Sequence, residues 1–385
     1  MRIGIDARFA IQKRRGIGNY TLNLVTSLAA IDSENQYILY TNGDDVEGVL
    51  PQKANFKATK MVPSNYFLWE QIILPRQVKR DRIDVLHCCG NTSPILLDRK
   101  VRLISTIHDV MYLKDRAKMP YSPSLYQRAG RIYRRVIVTR SASRLSMAIT
   151  VSEFSKRDIN RHIEGLGDER IRVTYEAANE CFRPLNKSES VRKIQNQFKF
   201  IGDYILTLGA VDPRKNTALI IRSVIELKHQ HPIKEKLIVV GMPHWEKTDY
   251  YKMIRGSQFE SDIIFTDYIS EDDLVTLYNG ATVFLYPSLY EGFGIPPLEA
   301  MACGVPVITS STTSLPEVVG NGAVQINPQD GEELKAALLK LLKDENLRKS
   351  FTKQGLEQAD KFTWTRMAEE TLAVYERVYG ESRSG

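Results

Sequence analysis

Two glutamates, with seven residues between them, mark the stretch of strongest chemical character, Glu291-Gly-Phe-Gly-Ile-Pro-Pro-Leu-Glu299. Its glycines allow a tight turn with uncovered amides, and its prolines suit the first turn of a helix. A glycine turn that leads into a helix N-terminus offers N–H donors and a positive dipole end to a phosphate or sugar oxygen. The two carboxylates add acceptors for a hydroxyl-rich ligand. From the residues alone an alternative stands equally: Glu291 is a solvated loop charge, and Glu299 is a first-turn carboxylate favoured by the helix dipole.

The same stretch resembles the glutamate pair of the retaining GT-B glycosyltransferases of family 4. The resemblance continues through Ala300-Met-Ala-Cys-Gly-Val-Pro-Val307 and the later Ser314-Leu-Pro-Glu-Val-Val319. In that family the first glutamate holds the donor sugar, the loop amides approach sugar and phosphate, and the second glutamate holds the ribose hydroxyls. The resemblance implies that Glu291 holds the donor sugar and that Glu299 holds the ribose hydroxyls. It implies amide contacts for the loop residues between them, Gly292, Phe293, Gly294 and Ile295.

Two adjacent cations follow a strand signal, Tyr204-Ile-Leu-Thr-Leu-Gly209, in the turn that carries Arg214 and Lys215. Arginine as a fork and lysine as a point charge can neutralise a diphosphate, although a turn with two basic residues is unremarkable by itself. The resemblance implies that both cations bind the donor phosphates and that the donor approaches Gly209. It also implies that the nucleotide base packs on a later turn, with candidates Tyr268, Ile269 and Leu274. Leu274 suits a core position equally well.

The first strand signal, Ile3–Ile5, leads into a loop that contains Arg14, Arg15, Gly16 and Gly18. A helical apolar period follows over Asn19–Ile31. Strand, glycine loop and helix begin a dinucleotide-type unit, in which ligands collect at the carboxyl ends of strands. The full GxGxxG is absent, and Gly-x-Gly alone is weak evidence. The resemblance implies that Gly16 and Gly18 face the donor phosphates and the acceptor, while the two arginines are anion contacts or solvated charges.

Another strand signal, Leu103–Ile107, ends in His108 and Asp109. A lone histidine is usually structural, and an aspartate here can be a helix cap. The resemblance implies instead that His108 lies beside the donor sugar, where its imidazole donates to or accepts from a hydroxyl in either tautomer. The predicted catalytic residues are therefore His108, Arg214, Lys215 and Glu291.

The 385 residues suffice for two domains, and 43% hydrophobic with 26% charged residues is typical of a soluble globular protein. No apolar run approaches the roughly 20 residues that cross a bilayer, and the N-terminus has a strand pattern without a signal-peptide core. The four cysteines form no CxxC pair, which favours a reducing cytosol and makes zinc improbable.

The net charge of +7 is unevenly distributed. Residues 1–180 carry 29 Lys and Arg against 19 Asp and Glu, and residues 181–385 carry 24 against 27. A basic half can face membrane lipid, a diphosphate-linked acceptor or nucleic acid, or it can simply be solvated. Much of this charge lies in the predicted helix Ser122–Arg144, with Arg128, Arg131, Arg134, Arg135, Arg140 and Arg144. Such a helix lies on an anionic membrane or presents a solvated face.

Strand and helix signals alternate in both halves, which predicts two doubly wound parallel sheets. The resemblance implies a GT-B-like α/β fold with two Rossmann-like domains and an active site in the cleft between them. We expect an acceptor-binding domain over residues 1–180, a nucleotide-sugar-binding domain over 181–362, and a helix within 363–385 that crosses back to the first domain.

We therefore expect a hexosyltransferase of the cytoplasm, at the inner face of the membrane if the basic helix binds lipid. The resemblance implies that transfer retains the anomeric configuration. The chain contains no Asp-x-Asp, so we expect no metal and no cofactor beyond the donor substrate. A UDP-sugar is favoured narrowly over GDP-mannose, and the acceptor is a saccharide or lipid-linked saccharide of a surface polysaccharide. Two alternatives are a non-hydrolysing sugar-nucleotide epimerase, which shares the architecture, and a basic nucleic-acid-binding protein. The second would explain pI ≈ 9.0 but not the glutamate pair, and the chain has no zinc-finger, RRM or OB signature.

Overall fold

The computed structural model describes residues 1–12, 16–114 and 125–381. The chain forms two compact units, Met1–Glu176 with Thr363–Gly385, and Ala177–Phe362. It passes from the first unit to the second between Glu176 and Ala177, rather than after residue 180. The C-terminal segment from Thr363 onward is part of the first unit.

The first unit contains a seven-stranded parallel sheet in the order β3-β2-β1-β4-β5-β6-β7. Its strands are β1 (Arg2–Asp6), β2 (Gln36–Thr41), β3 (Phe56–Lys60), β4 (Val85–Cys88), β5 (Arg102–Thr106), β6 (Met147–Thr150) and β7 (Ile171–Val173). The helices among them are α1 (Gly16–Ile31), α2 (Tyr66–Leu68), a π-helical turn (Trp69–Ile73), α3 (Leu74–Arg80), α4 (Leu125–Ser141) and α5 (Glu153–His162). Short 3₁₀ turns cover Met111–Leu113, Ala142–Arg144 and Asp168–Arg170.

The second unit contains a six-stranded parallel sheet in the order β10-β9-β8-β11-β12-β13. Its strands are β8 (Tyr204–Leu208), β9 (Lys236–Val240), β10 (Ile263–Phe265), β11 (Val283–Tyr286), β12 (Val307–Ser310) and β13 (Val324–Ile326). Its helices are α6 (Lys187–Phe198), α7 (Thr217–Gln230), α8 (Asp249–Ile254), α9 (Glu271–Gly280), α10 (Ile295–Ala302), α11 (Leu315–Val319), α12 (Gly331–Lys343) and α13 (Glu345–Ala359). The 3₁₀ turns are Pro213–Lys215, Trp245–Lys247 and Glu260–Asp262.

The last helix, α14 (Trp364–Gly380), packs on α1 and β4 of the first unit. Thr363 caps it by accepting a hydrogen bond from the amide of Arg366 at 3.1 Å. The Tyr375 hydroxyl lies 2.6 Å from Nδ1 of the buried His87, whose Nε2 lies 2.7 Å from Thr106 Oγ1. Burial lowers the pKa of His87 to about 3, so this histidine is a neutral member of a buried network.

Both sheets are buried by helices, as the nearly continuous apolar strands require. The prediction of two doubly wound parallel sheets is confirmed. The strand order changes direction between β1 and β4 and again between β8 and β11. Ligands of such sheets bind beyond the carboxyl ends of the strands at these switch points. Among the described residues, no helix combines the length and apolar character needed to cross a lipid bilayer.

Candidate active site

The switch point of the second sheet carries a compact polar cluster around Glu291. Strand β11 ends at Tyr286, and Glu291 follows in the loop before α10. Its Oε1 accepts hydrogen bonds from Lys215 Nζ at 2.6 Å, Ser288 Oγ at 2.6 Å and the Tyr286 hydroxyl at 2.9 Å. The described residues therefore hold one carboxylate oxygen from three sides, and the hydrogen bonds leave Oε2 for a ligand hydroxyl.

The loop conformation explains Gly294 and Ser314 of the sequence motifs. Gly294 has φ +118°, and a Cβ there would lie 2.6 Å from Leu315 Cδ2, so only glycine fits. Helix α10 starts at Ile295, with the two prolines in its first turn as expected. Ser314 Oγ lies 3.0 Å from the carbonyl oxygen of Glu291 and 2.6 Å from that of Phe293. The loop amides thus lead directly into the N-terminus of α10.

The two cations after β8 are held in different ways. Arg214 forms an ion pair with Asp212 at 2.5 Å, and the Asp212 side chain also accepts from the Arg214 amide at 3.0 Å. Lys215 turns towards β11, where Nζ also donates to the Tyr286 hydroxyl at 2.6 Å. The Arg214 carbonyl accepts from the Leu289 amide at 2.7 Å and lies 3.0 Å from Ser288 Oγ, which ties the β8 turn to the glutamate loop. Both predicted phosphate-binding cations therefore have acidic partners within the protein.

The charges of the cluster favour its ionised form. Burial disfavours the Glu291 carboxylate, but Lys215 and the hydrogen bonds of Ser288 and Tyr286 outweigh it, so the pKa of Glu291 is lowered. Burial alone would also lower the pKa of Lys215, but Glu291 and Tyr286 raise it above its ordinary value. The pair is therefore a carboxylate and an ammonium at neutral pH.

Glu299 has the opposite electrostatic environment. It is the fifth of the eight residues of α10, so the alternative interpretation of Glu299 as a first-turn carboxylate is wrong. Its partly buried side chain accepts a hydrogen bond from the Tyr278 hydroxyl at 3.2 Å. Burial, with a smaller contribution from Glu271, raises the pKa of Glu299 to about 8, against the opposing effect of the Tyr278 bond. The protonated carboxyl predominates at neutral pH, and it can both donate to and accept from a diol.

Three of the remaining predicted donor residues follow strands β8 and β10 of the second sheet, and Leu274 lies in α9. Gly209 follows β8, and a Cβ there would lie 2.4 Å from Val239 Cγ1, so close packing requires glycine. Tyr268 follows β10 with 58% of its surface exposed, and a Cβ built on Gly241 would lie 4.0 Å from its ring. Ile269 and Leu274 are both partly buried, so the structure leaves open the core and base-binding interpretations of Leu274.

His108 belongs to the first unit and follows β5. Its Nε2 lies 3.0 Å from the Cys89 carbonyl, an acceptor that assigns the proton to Nε2. Its Nδ1 lies 3.4 Å from Glu176 Oε1, and the Tyr20 ring packs edge-on at 4.7 Å. The Nδ1 contact is an ion pair only when Nδ1 carries a proton as well as Nε2, because a neutral ring with its proton on Nε2 has a lone pair at Nδ1. For the predicted contact with a sugar hydroxyl, Nδ1 must face the hydroxyl as well as Glu176, or in place of it.

The predicted glycine loop of the first unit differs from its expected form. Gly16 and Gly18 lie in the first turn of α1, which starts at Gly16 rather than at Asn19. Neither has positive φ, so these residues extend the helix N-terminus instead of forming a separate turn. Arg14 and Arg15 lie outside the described residues.

Sequence reasoning missed four residues that complete these sites, Asp212, Tyr286, Ser288 and Glu176. The first three stand within a few residues of a predicted site residue, so proximity in sequence was an available signal. Glu176 lies between the last strand and the linker, where the sequence gives no such signal. Together, the cluster offers a carboxylate for a sugar hydroxyl, cations for a phosphate and a helix N-terminus that favours negative charge.

Two family models divide this chain between them. The model described as Glycosyl transferases group 1 matches residues 192–358, and that described as Glycosyltransferase Family 4 matches residues 14–179. The first match contains the whole Lys215–Glu291 cluster, and the second contains His108 and Glu176.

Similar proteins match over most of the chain. The O-antigen chain mannosyltransferase B of Escherichia coli is 30% identical over 94% of this chain and 95% of its own. The O-antigen chain mannosyltransferase RfbU of Salmonella typhimurium is 30% identical over 73% of this chain and 72% of its own. Among solved structures, Alr3699/HepE of Anabaena in complex with UDP-glucose superposes with a TM-score of 0.74 at 16% identity, covering 98% of this chain and 100% of that one. The structural likeness concerns the fold.

Proposed function

This chain belongs to the family 4 glycosyltransferases of the GT-B fold, and we propose that it transfers mannose from a nucleoside diphosphate donor to a surface polysaccharide precursor. The observation that carries the proposal is the Lys215–Glu291 cluster at the switch point of the second sheet. Family membership sets aside the epimerase and the nucleic-acid-binding alternatives.

The donor sugar is recognised through Glu291. Because Oε1 is occupied by three protein donors, Oε2 is the oxygen that accepts from a sugar hydroxyl. Removing this acceptor leaves the hydroxyl without its partner, a loss of about 1–3 kcal/mol in a buried site. Glu299 in its protonated form holds the ribose diol from α10.

The diphosphate is recognised through Lys215 and the start of α10. An ammonium has three N–H donors, and Glu291 and Tyr286 take two of them. The third is directed to a donor phosphate, which lets one lysine hold the sugar-binding carboxylate and the leaving group together. The amides of Gly294 and Ile295 and the dipole of α10 add positive potential. Stabilising the departing diphosphate is the main demand of this chemistry, and these groups meet it without a metal ion.

We propose that His108 contacts the transferred sugar and that the Glu176 carboxylate orients its ring. Transfer proceeds with retention of the anomeric configuration, through a cation-like sugar that the Glu291 carboxylate helps to stabilise. Exclusion of water protects the activated donor from hydrolysis.

The donor base and sugar are proposed from the relatives. The sequence alone narrowly favoured a UDP-hexose over GDP-mannose, and the solved structure of Alr3699/HepE contains UDP-glucose. Two relatives that match most of this chain are mannosyltransferases of O-antigen chains, which supports mannose as the sugar and GDP-mannose as its donor. Their names also support a saccharide chain as the acceptor, and we propose that this saccharide is lipid-linked.

A donor panel tests the proposal directly. Thermal shifts with GDP-mannose, UDP-glucose, UDP-galactose and ADP-glucose report binding, because a ligand of the folded state raises its apparent stability. Transfer to mannosyl oligosaccharides, followed by NMR of the new anomeric proton, reports the sugar and the stereochemistry. We expect stabilisation by GDP-mannose and an α-linked product. Preference for UDP-glucose would overturn the donor assignment, and a β-linked product would overturn retention.

A further inference from the structure

We propose that Tyr375, in α14, is a positioning residue for His108 and acts on it through a chain of buried hydrogen bonds. The chain passes from Tyr375 through His87 and Thr106 to Tyr20. We call it the Tyr375 network, and its members are these four residues. The inference rests on the proposed function in one respect, because that function gives His108 a contact with the transferred sugar.

Four elements that are distant in sequence each contribute one member of the network. Tyr20 lies in α1, His87 in β4, Thr106 in β5 and Tyr375 in α14. All four side chains are fully buried. Apolar side chains would join these elements without the loss of hydration that buried polar groups suffer. A fully hydrogen-bonded buried network fixes the positions of its members more strictly than apolar packing does, so the network specifies a geometry.

The hydrogen bonds of the network are mutually consistent. His87 is neutral, so one of its ring nitrogens donates and the other accepts. If Nε2 carries the proton, it donates to Thr106 Oγ1 and Nδ1 accepts from the Tyr375 hydroxyl; if Nδ1 carries it, both directions reverse. Thr106 Oγ1 lies 3.1 Å from the Tyr20 hydroxyl and forms a hydrogen bond with it in either arrangement. A change at the Tyr375 hydroxyl therefore reaches Tyr20 through the one hydroxyl of Thr106.

The network ends at the imidazole ring of His108. The Tyr20 ring packs edge-on against it, with centroids 4.7 Å apart and ring planes at 88°. The His108 backbone is fixed separately, because its amide donates to Asn91 Oδ1 at 2.7 Å and its carbonyl oxygen accepts from Ser155 Oγ at 3.0 Å. The network therefore acts on the direction of the ring and not on the position of the backbone.

The end of strand β4 gives the network a second contact with His108. Cys89 lies two residues after His87, and its carbonyl oxygen is 3.0 Å from His108 Nε2. The ring is thus held at one face by Tyr20 and at Nε2 by the chain that leaves the strand of His87. A shift of His87 changes both contacts, so the direction of the His108 ring depends on the partner that His87 has in α14.

Two substitutions of Thr106 separate positioning from stability. Thr106→Val keeps the volume of the side chain but removes the hydroxyl, whereas Thr106→Ser keeps the hydroxyl and removes a methyl group. Both variants change a fully buried residue, and both should lower Tm. We expect kcat to fall about tenfold in Thr106→Val and to stay within about twofold of the wild type in Thr106→Ser, since a misplacement of ~1 Å at a reacting centre can cost about 100-fold. With a structural role alone, kcat would not depend on which group is removed.

Tyr375→Phe extends the test to α14. It removes only the hydroxyl at the far end of the network, and we expect kcat to fall about tenfold while KM for the donor stays unchanged. Tyr40→Phe is the matched control, because Tyr40 is also fully buried in the first unit and donates to Asp81 Oδ2 at 2.8 Å, outside the network. The control should lower Tm and keep the wild-type kcat.

NMR of the full-length protein with nitrogen-15 in its six histidines gives a readout that needs no transferred sugar. The His108 ring signals are assigned by their loss in His108→Gln. We expect them to shift in Thr106→Val and Tyr375→Phe, and to keep their wild-type positions in Thr106→Ser and Tyr40→Phe. If the wild type transfers no sugar from any donor, the proposed function fails, and the His108 signals still decide whether the network positions the ring.

Three results would overturn the inference. They are a wild-type kcat in Thr106→Val or Tyr375→Phe, an equal loss of kcat in Thr106→Ser or Tyr40→Phe, and His108 ring signals that are the same in all four variants. If Tyr375→Phe does not fold, the two Thr106 variants decide.

Discussion

Replacing Lys215 by methionine tests the ion pair that organises the proposed donor site. Nζ lies 2.6 Å from Glu291 Oε1, and the two side chains are 25% and 13% exposed. Removing one partner of a fully buried pair costs about 3–5 kcal/mol, because the other charge remains without compensation. Since Lys215 keeps some contact with water, we expect Lys215→Met to lower the free energy of unfolding by about 2–3 kcal/mol.

A double-mutant cycle isolates this interaction. Glu291→Gln removes the other charge, and Ser288 and Tyr286 can still donate to the amide oxygen at that position. The double variant therefore contains no uncompensated carboxylate, and we expect a coupling of about 2 kcal/mol between the two substitutions. Urea unfolding of all four proteins, followed by far-UV circular dichroism, measures it.

The pH dependence supplies an independent check with a definite sign. The folded pKa of Glu291 is lowered, so its pairing stabilises the protein above the unfolded carboxyl pKa, and this contribution is lost as the pH falls through the folded value. The difference between wild type and Lys215→Met should therefore shrink on acidification. Additive single-variant effects at neutral pH would refute the pairing. Wild-type transfer by any of the three variants would refute the role of the cluster in catalysis.

Three further outcomes are expected. Glu299→Gln should raise the Tm at pH 9 and not at pH 4. A carboxyl with its pKa raised to about 8 opposes folding increasingly as the pH rises above the unfolded pKa, by on the order of 5 kcal/mol in full. Equal effects on Tm at both pH values would contradict this prediction. Glu176→Gln should lower kcat about tenfold and leave Tm unchanged, because the amide keeps the shape of the side chain but loses the charge that orients His108. An unchanged kcat at saturating donor would show that Glu176 has a structural role only. Glycosyl transfer should survive exhaustive EDTA treatment, since Lys215 and the start of α10 supply the positive potential. If EDTA abolishes the activity and Mg²⁺ or Mn²⁺ restores it, the enzyme requires a metal.

The architecture was predictable because strand and helix signals alternate along the whole chain. The glutamate loop was equally predictable, since its glycines and prolines determine the local conformation and its motif is contiguous in sequence. Gly294 and the start of α10 illustrate this, because positive φ and a missing amide hydrogen are properties of single residues. Such features depend on residues that are adjacent in the sequence, so they can be predicted without the fold.

Pairings between distant segments could not be predicted in the same way. Lys215 and Glu291 are 76 residues apart, and only the adjacency of β8 and β11 brings them together. The sequence therefore suggested a free cation and a free carboxylate where the fold forms an ion pair. His108 was likewise assigned either tautomer, because nothing before the structure placed the Cys89 carbonyl against Nε2.

The ion pair also explains how one site can recognise a sugar and a phosphate as a unit. A free lysine loses up to about 2 kcal/mol of side-chain entropy when it is ordered, and Lys215 has already lost it on folding because Glu291 and Tyr286 hold it. A diphosphate therefore meets an ammonium in a fixed position, which lowers the cost of binding. The same ammonium fixes Oε1 of Glu291 and so sets the direction of Oε2 towards the sugar. Recognition of the two halves of the donor is coupled through one nitrogen atom, so a substitution that displaces Lys215 weakens both.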